Sequence, residues 1–145
     1  MALSEKVKDQ TIRENIASDC AKLIDDHVSA KSGLSGMALK ATYSMVKGIG
    51  SDYIPGAIKR LLPQACEALD PMWLEGIQVG DPVEHLIQNR TLTADTILSV
   101  TDTRVQVTNN GIIRGAYNKL RKSVKNDVEE AVPGIAKIIG SHVQV

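Results

Sequence analysis

The sequence predicts an all-α fold, a compact single-domain bundle of six or more helices. Apolar residues recur at three- and four-residue steps along most of the chain, and no segment makes a good strand. One helical pattern also occurs twice. Its first copy runs Lys40-Ala41-Thr42-Tyr43-Ser44-Met45-Val46-Lys47 and then from Ile58 through Pro63 to Leu69. Its second runs Arg114-Gly115-Ala116-Tyr117-Asn118-Lys119-Leu120-Arg121 and then from Val128 through Pro133 to Ile139. Tyrosine matches tyrosine and proline matches proline, and only the connector differs in length. The expected organisation is one helical domain over residues 1–145, with pseudo-repeat halves at about 11–69 and 82–142.

Taken in order, a short turn follows Ser4. Thr11 and Glu14 then have capping-box spacing, which places a helix start there. Ile12, Ile16, Cys20, Leu23 and His27 form one helical face reaching about Ala30, and Gly33 is the expected left-handed stop. A second helix spans about Ser35 to Lys47 and ends at Gly48 and Gly50. Leu39, Thr42, Tyr43 and Val46 share one of its faces, and Lys40 and Lys47 share another. Ile113, Ala116, Tyr117 and Leu120 oppose Arg114 and Arg121 in the same phase.

Pro55 opens a third helix, where a missing N–H costs little. Pro63 and Pro133 fall inside apolar-periodic stretches, so each is expected to kink or break its helix. Asp70-Pro71 and Asp81-Pro82 both read as an N-cap followed by a first helical residue. A further helix runs from about Leu92 to Gln106 with Thr93 as its cap, and Thr108-Asn109-Asn110-Gly111 is a turn.

Composition narrows the function classes. A chain of 145 residues buries roughly 68–70% of its unfolded surface and needs neither disulfide nor metal to fold. Seventeen basic residues balance seventeen acidic ones, so no global field draws it to nucleic acid. With no Phe, one Trp and three Tyr, it lacks the stacking platforms of a single-strand binder. Cys20 and Cys66 sit among apolar residues and read as buried thiols in a reducing cytoplasm. The N-terminus lacks a signal-peptide core, and no apolar run has the ~18 residues of a membrane span.

Lys31-Ser32-Gly33-Leu34-Ser35-Gly36, Leu62-Pro63, Pro71-Met72-Trp73 and Val100-Thr101-Asp102-Thr103-Arg104 carry a resemblance over nearly the whole chain. The sequence resembles a family of small uncharacterised bacterial proteins with no assigned activity. That resemblance implies one helical domain and no particular chemistry.

No motif marks a catalytic or metal site, and no cofactor is expected. Asp25-Asp26-His27 is the only local cluster of ligand types, but consecutive helical residues point about 100° apart. Gly48-Ile49-Gly50 lacks the preceding strand and third glycine of a phosphate loop. Asp102 and Arg104 diverge, each free to bond a neighbouring helix. The best candidate surface is basic: Arg114, Arg121 and Lys125 lie within roughly 40° on a wheel, with Lys122 adjoining. Lys40 and Lys47 are its first-copy counterparts.

The first functional expectation is therefore a non-catalytic module that binds a protein partner or itself, as a homodimer, through this face. Contact with an anionic membrane through it would be weak, at about 1 kcal/mol per basic residue. The alternative is a carrier for an apolar small molecule or lipid held between the two copies. The lesser alternative is an enzyme whose pocket gathers several of Asp25, Asp26, His27, Asp102 and Arg104.

Overall fold

The computed structural model describes residues 2–143, without the side chains of Ser35 and Lys122. In chain order the helices are α1 (Leu3–Lys6), α2 (Gln10–Ala30), α3 (Gly33–Lys47), α4 (Tyr53–Gln78), α5 (Pro82–Gln88), α6 (Arg90–Gln106) and α7 (Gly111–Val143). No strand occurs among the described residues. The chain folds as the all-helical bundle its periodicity predicts.

The helix starts correct some local expectations. Asp9, not Thr11, caps α2: its carboxylate accepts from the Thr11 and Ile12 amides at 2.9 and 3.2 Å. Glu14 accepts from Lys59 of α4 at 2.8 Å instead of closing a capping box. Asp81 caps α5 as expected, accepting from the Glu84 amide at 3.0 Å ahead of Pro82. Asn110 does the same for α7. Thr93 is no cap. It is buried in the first turn of α6 and donates to the Leu86 and Asn89 carbonyls at 3.1 and 3.0 Å, which joins α6 to α5. Gly33 has the expected left-handed backbone, at φ 79°, although Lys31 is the C-cap of α2.

The prolines do not end their helices. Pro63 and Pro71 both lie inside α4, and Pro133 lies inside α7. Proline frees the carbonyl four residues earlier, here those of Lys59 and Glu67 in α4. Pro63 and Pro71 are eight positions apart on the exposed side of α4, where solvent satisfies such carbonyls as a helix curves around its core. Asp70-Pro71 therefore starts nothing. The Asp70 carboxylate instead accepts from the backbone N–H and hydroxyl of Ser4, capping α1 from a different helix.

The packed core draws on Leu3 and Val7 near α1, Ile16 and Cys20 of α2, and Leu62, Cys66, Leu69 and Trp73 of α4. Leu86 of α5 with Ala136, Ile139 and Val143 of α7 completes it. These positions use the N-terminal half of α2, α4 from Leu62 onward and the C-terminal half of α7. Gly76 brings α4 against α5 so closely that a Cβ there would stand 2.5 Å from Pro82 Cα. The opposite halves of α2, α4 and α7, with α3 and the end of α6, are left to enclose something else.

The two sequence copies take different helical paths. The first is divided between α3 and α4 by the turn Gly48–Asp52, whereas the second lies wholly within the 33 residues of α7.

Candidate functional site

Between those halves lies a half-open cavity of about 670 Å³. Ile24 and Val28 of α2, Ile54 and Leu61 of α4, and Val105 of α6 contribute to its wall. Its two long sides come from the paired faces of α3 and α7. Leu39, Thr42, Tyr43 and Val46 line one side, and Ile113, Ala116, Tyr117 and Leu120 line the other. These are the eight residues whose helical phase matched in the sequence. All eight border the same pocket, Thr42 and Ala116 as its buried members.

The polar atoms near this wall are mostly committed elsewhere. Thr42 and Thr101 return their hydroxyls to the carbonyls of Ala38 and Ile97, one helical turn back, at 2.9 Å each. The Tyr43 hydroxyl donates to Asp25 of α2 at 3.2 Å, and Lys47 reaches the same carboxylate at 3.1 Å. The Tyr117 hydroxyl donates to Asp102 of α6, which Arg121 grips with two hydrogen bonds at 2.8 and 3.1 Å. Each side thus uses a tyrosine and a base one turn later to hold a carboxylate from the preceding helix.

The electrostatics follow from these pairs. Arg121 holds the Asp102 carboxyl below its ordinary value; burial opposes it, and the Tyr117 hydroxyl adds a smaller lowering. Lys47 and then Tyr43 lower that of Asp25. Burial, with Asp25 nearby, pushes the Tyr43 phenol up to about 12, and burial and Asp102 raise that of Tyr117 as well. Both phenols stay neutral at physiological pH. The cavity wall is consequently apolar, and the cations on it that remain without a carboxylate partner among the described residues are Arg60 and Arg104.

The predicted basic surface lies outside the cavity and is extensively paired. Arg121 is bound to Asp102, Lys125 to Asp95 at 3.1 Å, and Lys47 to Asp25. The Arg114 guanidinium donates to the Thr108 carbonyl. Lys40 is exposed on α3, and the Lys122 side chain lies outside the described residues. These contacts reflect carboxylates on α6 and α2 that a wheel of α7 or α3 alone cannot show.

Of the five residues expected of an unfamiliar enzyme, only Arg104 lines the cavity. Asp25 faces α3, while His27 turns to α7, 3.2 Å from Asp127. His27, Asp127 and Glu130 have ligand atoms within 4.8 Å of one another, the spacing of a metal site. The Lys31 ammonium already stands 3.0 Å from Asp127 and 3.1 Å from Glu130, however. This makes the group an ion-paired staple between the end of α2 and α7.

Residues 3–143 match the model of a family of unknown function, DUF6918. The chain belongs to that family. No curated protein and no solved structure matches this DUF6918 chain significantly. The cavity of this DUF6918 protein therefore has to be read from its own residues. Sequence reasoning picks out the eight facing positions and gives a ligand held between the two copies only as its second expectation. Helical phase carries no signal for the cavity itself, because an inward face looks the same in sequence whether it is packed over or borders a space.

Proposed function

We propose that this protein carries or binds an apolar small molecule or lipid in the cavity between α3 and the first half of α7. The observation behind this reading is a space of about 670 Å³ walled by aliphatic and tyrosine side chains, beside a densely filled core. That volume falls within the roughly 300–1,000 Å³ of small-molecule sites, which are mostly apolar with a few placed polar groups. The internally satisfied threonines and the carboxylate-bound tyrosines leave little polar surface for a sugar or nucleotide.

Native and denaturing mass spectra of the purified protein test the proposal. An added mass of a few hundred daltons that is lost on denaturation, and recovered in an organic extract, is the expected result. Protein that emerges bare and fails to enhance an apolar fluorescent dye overturns it.

Self-association is the second reading, and a different observation favours it. Leu34, Met37 and Met45 are exposed along the outer face of α3. A dimer in the same native spectrum that is lost in Met37→Lys would support it, and a monomer at micromolar concentration would not.

A further inference from the structure

The cavity wall is apolar, yet its charges have a single sign. Arg60 of α4 and Arg104 of α6 both line it, both are exposed, and no Asp or Glu lines it with them. Of the nearby cations, Lys47, Arg121 and Lys125 are each paired with a carboxylate, and Arg114 donates to a carbonyl. Among the described residues Arg60 and Arg104 make no ion pair and no side-chain hydrogen bond. Arg60 is nevertheless held in place. Its guanidinium lies 6.0 Å from the ring centroid of Tyr53, another wall residue, and its Nη1 passes over Gly56. A Cβ at position 56 would stand 3.3 Å from that nitrogen, so glycine gives the arginine room to lie along α4.

A guanidinium is a rigid fork suited to carboxylate and other oxyanions. Two of them on the exposed margin of an otherwise apolar chamber define an amphiphile with its tail inside and its acid outside. We propose that the ligand class is a single-chain anionic amphiphile of the fatty-acid type, its carboxylate held by Arg60 and Arg104. This inference rests on the carrier reading and specifies its head group.

Binding of dodecanoate, 1-dodecanol and dodecylammonium, measured by displacement of an apolar dye, separates the two. Wild-type protein is expected to prefer the carboxylate over the alcohol by about tenfold or more, as charge-assisted hydrogen bonds would give. The ammonium should bind weakest. In the Arg60→Gln/Arg104→Gln double variant, carboxylate affinity should fall to that of the alcohol while alcohol affinity stays the same. Equal binding of acid and alcohol by the wild type, or an acid preference that survives in the double variant, overturns the head-group assignment and leaves the carrier reading standing. If none of the three displaces the dye, both fall together. Thermal melts of the double variant guard against misfolding, and because both arginines are exposed its midpoint should match the wild type.

Discussion

Asp102 is the residue on which the second tyrosine pair depends, and its pH behaviour follows from its partners. Its folded pKa is lowered, so its contribution to stability is complete above the unfolded value of about 3.9 and is lost as pH falls through the folded value. Thermal melts taken downward from pH 5 should show the Asp102→Asn variant losing less stability in acid than the wild type; parallel curves would contradict this. Two glycines give substitutions of opposite sign. Gly76→Ala forces a Cβ against Pro82 and should destabilise by about 1–3 kcal/mol in urea unfolding. Gly115→Ala meets open space on exposed α7 and should stabilise by up to about 1 kcal/mol. Little of this is legible in sequence, because a glycine's cost depends on which helix passes beside it. Asp81 before Pro82 was legible, since a cap acts within its own turn. Asp70 before Pro71 carries the same local signature, but Ser4, 66 positions away, takes its carboxylate.

At the scale of elements, helical phase was the most readable property. It placed Leu39, Thr42, Tyr43 and Val46 on one face of α3, and that face does point inward. Helix boundaries near proline were not readable, because a freed carbonyl breaks a helix only where nothing else satisfies it. Periodicity also cannot say whether an inward face meets atoms or space. α3 meets space: Gly36 and Thr42 are the buried residues among its described side chains, and its outer face exposes Leu34 and Met37. A helix with so little packed beneath it should open more readily than α4 or α7. Amide hydrogen exchange is expected to be faster in the middle of α3 than in residues 62–73 of α4, and to slow when a cavity ligand binds. Equal protection in the two segments would place α3 within the cooperative core.

Across the whole molecule, filling and hollowness are segregated. Lengthening a side chain on the cavity wall should therefore act on binding and not on folding. Ala116→Leu is expected to abolish dye binding while leaving stability unchanged or raising it by about 0.5–2 kcal/mol, as cavity filling does. A large drop in the melting midpoint would mean that the space is already filled by neighbouring side chains. The same division sorts the chromophores. All three tyrosines, Tyr43, Tyr53 and Tyr117, line the cavity, whereas the one tryptophan, Trp73, is buried in the core, and there is no phenylalanine. The protein thus contains two optical reporters that do not overlap in space. Trp73 emission follows the integrity of the filled half during unfolding, and tyrosine absorbance follows events in the chamber. A ligand that perturbs the tyrosine bands and leaves the indole spectrum unchanged would locate its own binding site, with no label attached to the protein.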